Sequence, residues 1–208
     1  NPLGAVHWRF ADAAAHAIAQ GAHLATFSNQ TENTQVYNML QLGSGYFAGW
    51  FGLVQAAGSQ EPSGGWGWIT NEPMLFDFWQ PGEPTNAGCY QPSAPQSWGI
   101  LEGNQSGGNL SGRWDDDGDP VPACQNVVAS AVIEWDADCN SDGIVDYGQC
   151  RDGSLPDYNG NNTPDCCEQG TNCVVGNYPV QWRVEDGGNG HWYQAIPVQD
   201  WYAASASA

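Results

Sequence analysis

Residues 79–86 read WQPGEPTN and residues 112–117 read GRWDDD. Between them they offer Glu83, Thr85, Asn86, Asp115 and Asp116, all oxygen donors suited to a hard cation or a sugar hydroxyl. Calcium takes six to eight such oxygens. A second group lies in the run DADCNSDGIVDYGQCRDGSLPDYNGNNTPDCCEQG. Asp138, Asn140, Asp142, backbone Ile144 and Asp146 stand at positions 1, 3, 5, 7 and 9 of a calcium loop, with Gly143 at 6. Asp157, Asn159, Asn161, backbone Thr163 and Asp165 repeat the pattern, with Glu168 at position 12 where the first copy has Gln149. The alternative for both groups is a solvated acidic turn or linker.

The composition favours cation chemistry. Four arginines and no lysine stand against 23 acidic residues, for a formal charge of −19. Such a chain repels phosphate backbones and anionic lipid heads, which excludes nucleic acid as a partner. No run approaches the ~20 apolar residues of a membrane span, so membrane insertion is not expected. Asn1 opens without a charged and apolar leader, so any secretion signal is expected to have been removed. Seven cysteines, at 89, 124, 139, 150, 166, 167 and 173, lack paired zinc-site spacing and predict disulfides in an extracellular protein, secreted or at the cell surface. The odd count leaves one thiol free, paired between chains, or partnered beyond this chain. Sequons at Asn29, Asn104, Asn109 and Asn161 permit glycosylation where the cell performs it.

The elements that must position these groups are legible in part. HWRFADAAAHAIAQGAHLATF predicts an alanine-rich helix with Trp8, Ala11, Ala15 and Ile18 on one face, stopped by Gly21. Ser28 is the expected N-cap of a second helix with Val36, Met39 and Leu40 at helical spacing, ended by Gly43. From Tyr46 onward YFAGWFGLV, GWGWIT, MLFDFW, SWGILEG and VVASAVIEW predict strands and long loops. ASAVIEW alternates, with Ala131, Ile133 and Trp135 on one face of a half-buried antiparallel strand. From Gln80 to Val127 little is regular beyond SWGILEG, and long structured loops usually carry function.

The ordered series WRFADAAAHAIAQGAHLAT, ENTQV, WFGL, GGWGWITNEP, FDFWQPGEPTN, GRWDDD and VIEW resembles the C-type lectin-like domain over residues 7–135. The resemblance implies an α+β fold with two helices, small antiparallel sheets and a long ligand loop. It also implies a calcium ion shared between protein oxygens and vicinal sugar hydroxyls, and a cis proline. Glu83 and Pro84 match the family's Glu-Pro-Asn motif, whereas Thr85 replaces its Asn and Asn86 stands next door. Asp115 and Asp116 match its Trp-Asn-Asp. The family's intervening acid has no clean match, Gln96 and Glu102 being the candidates. Glu83, Asn86 and Asp115 are the ligand contacts expected from the match, and Trp98 is added as a candidate ligand contact outside the matched core tryptophans. Cys89 and Cys124 match the order of the family's internal disulfide. Trp50, Trp66, Trp68 and Trp79 read as core rather than sugar platforms, and His7, His16 and His23 as structural.

The tail loops resemble dockerin and thrombospondin type 3 calcium repeats. Beyond them NGHWYQAIPVQDWYAASASA spaces Trp201, Ala204 and Ala208 like Trp8, Ala11 and Ala15, as though a second lectin-like repeat begins. The expected organisation is a lectin-like domain over 1–136 lacking its opening strand, a calcium-binding linker over 137–175, and an opening strand and helix start over 176–208. That last segment completes the fold in cis or in a neighbour. Two functions follow: a secreted, non-enzymatic, calcium-dependent module that binds a glycan or glycoprotein, or a filament subunit joined to identical subunits through residues 178–198. No nucleophile and base pair, phosphate loop or zinc set points to catalysis.

Overall fold

A computed structural model of the chain describes residues 9–39, 48–86, 96–102, 112–118, 128, 130–173, 180–181, 189 and 191–193. Cys89, Cys124, Trp8, Leu40, the sequons at Asn104 and Asn109 and most of 178–198 lie outside the described residues. The chain forms two compact units, Asn1–Glu134 and Trp135–Ala208.

The first unit is α+β. Helix α1 (Phe10–Ala19) and the short strand β1 (His23–Leu24) lead to α2 (Gln30–Met39), then β2 (Ala48–Gln55), β3 (Trp66–Trp68), β4 (Trp98–Glu102), β5 (Trp114–Asp117), β6 (Ser130–Ala131) and β7 (Ile133–Glu134). The run AGWFGLVQ is apolar on both faces because β2 is central: β4 lies antiparallel on one edge, while β3 and β6 share the other. The order is β3-β2-β4-β5, and β1 pairs separately with β7. Gly52 allows close approach, since a Cβ there would meet the Leu24 carbonyl at 2.6 Å. Its N–H donates instead to the Ala25 carbonyl at 2.8 Å.

Two apolar clusters form the core. Phe27, Phe51, Leu53, Trp68, Leu101, Trp114 and Val132 build one, with Trp66 and Trp79 packed against it. Phe10, Ala13, Leu24, Trp50, Ile100 and Val128 build the other. The four tryptophans read as core are therefore in it. Helix α2 is tied on by a polar link: Asn33, fully buried, accepts from Trp114 Nε1 at 2.7 Å and donates to the Gly112 carbonyl at 2.8 Å.

Several expectations are corrected. Helix α1 buries Phe10, Ala13 and Ala17, leaving Ala11, Ala15 and Ile18 exposed, because Phe10 outweighs the alanines in setting the rotation. Met39 is 76% exposed, and α2 packs through Asn33 and Tyr37. The N-cap of α2 is Asn29, whose Oδ1 accepts the Glu32 N–H at 3.0 Å; Ser28 donates its N–H to the Glu32 carboxylate at 2.7 Å. MLFDFW forms no strand. It runs extended, touching the sheet through one parallel bridge of Trp79 to Trp114. The run VVASAVIEW is split: β6 runs parallel to β2, β7 antiparallel to β1, and the intervening Val132 is buried in the opposite cluster from Ala131 and Ile133. Both faces of this run are covered, so its alternation marks two cores rather than core and solvent.

The second unit contains α3 (Asp146–Asp152), α4 (Asp165–Glu168) and the two-stranded antiparallel sheet of β8 (Val180–Gln181) with β9 (Trp192–Tyr193). Leu155 is buried, and Trp135 stacks on Tyr147 at 4.1 Å between ring centroids. Disulfides join Cys139 to Cys167 and Cys166 to Cys173.

Candidate cation and ligand sites

The bridge at Trp79 delivers the EPTN turn to β5. Trp114 donates its N–H to Phe78 O at 3.0 Å, Gln80 N–H donates to Trp114 O at 2.8 Å, and Glu83 N–H closes a turn onto Gln80 O at 3.0 Å. The Glu83–Pro84 bond is cis, as expected. One carboxylate oxygen from each of Glu83, Asp115 and Asp116 then lies within 4.8 Å of the other two. WDDD is thus a strand edge rather than a solvated turn, with Asp116 only 2% exposed.

The acids divide the work. Asp116 clamps the turn: its Oδ1 accepts the Thr85 N–H and its Oδ2 the Asn86 N–H, both at 2.9 Å. Gln96 donates from Nε2 to the Asp116 carbonyl at 2.8 Å, and its N–H donates to Asn86 Oδ1 at 2.6 Å. Asn86 holds this geometry with φ of 57°, a left-handed value that Asn tolerates. Glu83 Oε2, by contrast, is buried and accepts no hydrogen bond. Burial pushes the Glu83 carboxyl upward, a Thr85 hydrogen bond pulls it back, and Asp116 pushes it up again. Asp115 is pushed up to about 8, first by burial and then by the charges of Glu83, Asp116, Glu102 and Asp117. Burial likewise raises Asp117.

A site of crowded acids, one with an orphaned buried oxygen, fits a hard divalent cation, whose charge would relieve both burial and repulsion. Glu83, Asp115 and Asp116 are brought together as expected. Thr85 and Asn86 are not free ligands in the same sense, since Thr85 donates to Asp116 and Glu83, and the Asn86 amide oxygen serves Gln96. Trp98 belongs elsewhere: it stacks on Phe10 at 5.5 Å and meets Trp50 edge-on at 6.5 Å, in the second cluster. Its ring packs against that cluster and is half-buried. Glu102, one of the two candidates for the family's intervening acid, acts on Asp115 through its charge; Asp117 was missed as an electrostatic neighbour, and only a β4/β5 register, pairing Trp98 with Asp117 and Ile100 with Asp115, reveals it.

The tail loops share a backbone bonding pattern and differ at position 12. In the first, Asp138 Oδ1 and Oδ2 accept the N–H groups of Asp142 and Gly143, and Asp142 Oδ1 accepts from Ile144 at 2.9 Å. In the second, Asp157 does the same for Asn161 and Asn162, and Asn161 Oδ1 accepts from Thr163 at 2.9 Å. Asp146 and Asp165 each open a helix and accept the N–H of Cys139 and Tyr158. Gly143, at φ of 84°, is matched by Asn162 at 67°. Glu168 accepts from Asn159 at 2.9 Å and Asn161 at 2.6 Å. Its counterpart Gln149 is 1% exposed, donates from Nε2 to Asp142 at 2.8 Å, and leaves Oε1 buried without a partner. Burial, then the charges of Asp138 and Asp142, push the Asp146 carboxyl up against the pull of Cys139 N–H. These donor sets also fit calcium. Cys139 and Cys167 sit inside the loops, at positions 2 and 11, a pairing for which spacing gave no signal.

Over 117 residues the chain is 32% identical to C-type mannose receptor 2 of Rattus norvegicus, covering 56% of this chain and 7% of that protein. It thus spans a small part of the length of the relative it matches. With the order of helices and strands above, this makes the fold of the first unit C-type lectin-like. Similar solved structures include the human scavenger receptor C-type lectin carbohydrate-recognition domain, 20% identical over 62% of this chain and 83% of that one, TM-score 0.45. Another is the Ca2+-independent C-type lectin SPL-2 from Saxidomus purpuratus, 18% identical over 60% and 75%, TM-score 0.41. No protein-family profile matches the chain. Among the described residues no helix is long and apolar enough to cross a membrane.

Proposed function

We propose that this chain is a calcium-dependent carbohydrate-binding module of an extracellular protein, a binder rather than a catalyst. The observation that carries the reading is the convergence of the Glu83, Asp115 and Asp116 carboxylates together with the buried, unpartnered Glu83 Oε2. Glu83, Asp115 and Asp116 would hold the ion, and Asp116 with Gln96 keeps the turn in shape around it. When bound, calcium supplies open coordination positions that vicinal sugar hydroxyls of a glycan or glycoprotein can fill. The similarity to a protein named a mannose receptor supports a sugar ligand. The tail loops, Asp138 to Gln149 and Asp157 to Glu168, are read as two further calcium sites that stiffen a dockerin- or thrombospondin type 3-like segment. The test is glycan-array binding with calcium and with EGTA, beside Glu83→Gln. Calcium-dependent binding lost in the variant is expected; binding indifferent to both EGTA and the substitution overturns the reading.

The β8–β9 ribbon favours a second reading, self-association of identical subunits through residues 178–198. Among the described residues the ribbon has two strands, and a two-stranded ribbon is marginal in water and gains from a further strand. Deleting 178–198 should then abolish oligomers in light scattering; oligomers that persist sink this reading.

A further inference from the structure

Cys166 and Cys167 are neighbours in α4, and Cys139 and Cys173 converge on them. The bonded pairs are Cys139–Cys167 and Cys166–Cys173. Across the pairs, Cys173 Sγ lies 3.4 Å from Cys167 Sγ and 3.8 Å from Cys139 Sγ. All four line an open cleft of about 440 Å³, together with Gly170 and Thr171, so a small thiol has access. We propose that this four-sulfur cluster is a disulfide exchanger with two registers, Cys139–Cys167 with Cys166–Cys173 and Cys139–Cys166 with Cys167–Cys173.

The exchange balances with a low-molecular-weight thiolate as catalyst. The thiolate attacks Cys166 Sγ, breaks Cys166–Cys173 and leaves a mixed disulfide on Cys166 and a thiolate on Cys173. That thiolate attacks Cys167 Sγ, forming Cys167–Cys173 and releasing Cys139 as thiolate. Cys139 then attacks the mixed disulfide on Cys166, forming Cys139–Cys166 and returning the catalyst. No net oxidation occurs. The two registers close loops that differ by one residue in each bridge, so chain entropy scarcely distinguishes them.

The consequence falls on the second loop. One residue of helix is a rotation of about 100°. Changing the residue that Cys139 holds therefore turns α4, and Glu168, which now accepts from Asn159 and Asn161, swings from the loop it closes. This consequence for cation uptake rests on the calcium reading above; the exchange does not.

The test equilibrates the full oxidised chain with a trace of reduced glutathione and maps the bridges by tandem mass spectrometry without reduction. Appearance of Cys139–Cys166 beside Cys139–Cys167 is expected, and its absence after equilibration overturns the proposal. The paired variants C166S/C173S and C167S/C173S leave Cys139 one partner each. Both should form their bridge, and failure of the second alone overturns the proposal. Calcium titration of the two variants, each also carrying Glu83→Gln to silence the first unit's site, separates the readings. Weaker uptake by C167S/C173S is the expected consequence, whereas two bridged variants that take up no calcium leave the exchange standing and remove the calcium reading of the loops.

Discussion

On the calcium reading proposed above, Asp115 is the side chain on which acidity and cation binding meet most directly. Its folded value of about 8 lies above the ordinary 3.8, so the folded chain keeps a proton that the unfolded chain releases. For the metal-free protein the resulting stabilisation is complete below the ordinary value, declines as pH rises through the interval, and is gone above about 8. Thermal unfolding in EGTA should therefore show a melting temperature that falls from pH 5 to pH 8, and calcium at pH 8 should restore it by taking the proton's place. Asp115→Asn should flatten the pH slope and remove the first unit's share of the calcium response, leaving that of the tail loops. Two glycines of the tail offer an internal contrast. Gly143 has φ of 84° and open space around it, so Gly143→Ala should cost roughly 1 kcal/mol from backbone strain alone. Gly148 is exposed inside α3, also with open space, and Gly148→Ala should stabilise by roughly 0.5–1 kcal/mol. Urea midpoints with unchanged slope would check both signs.

At the scale of elements, hydrophobic pattern revealed β2 and β4 well, since each is a continuous apolar run flanked by breakers. The carboxylates of Glu83, Asp115 and Asp116 were legible through the order of their motifs. What escaped was phase and partnership. An alanine-rich segment gives weak rotational information, so α1 was turned onto the wrong face. Hydrophobic periodicity is blind to a polar anchor, so Asn33 went unnoticed although it fastens α2 to β5. That link predicts a large effect: Asn33→Leu leaves Trp114 Nε1–H and the Gly112 carbonyl buried without partners, a loss of roughly 2–5 kcal/mol. Denaturant unfolding should show it as a lowered midpoint, and Asn33→Asp, which keeps one acceptor for Trp114, should lose less. Trp98 shows a related limit. A tryptophan beside a ligand motif looks available until strand register shows which cluster its ring joins.

For the whole molecule, a charge of −19 with four arginines means that self-repulsion acts at every pH where the carboxylates are ionised. In EGTA the melting temperature should rise with sodium chloride through screening, and calcium should shrink that salt dependence by neutralising charge where it is densest. Limited proteolysis should add a regional signature: without calcium the 135–173 segment, held by loops of acids and two disulfides, should be cut before the packed core of the first unit. Equal rates in both segments would contradict a cation-stiffened tail. The grip of Asp116 on Thr85 and Asn86 has a kinetic corollary. Because peptide N–H groups already fix the bend of that turn, on the calcium reading proposed above an arriving ion would find its seat standing, and capture would be governed by diffusion and shedding of hydration water rather than by remodelling of the chain. Stopped-flow traces with a luminescent lanthanide should accordingly show a single fast phase for the first unit, and loosening the grip with Asp116→Asn should introduce a slower one.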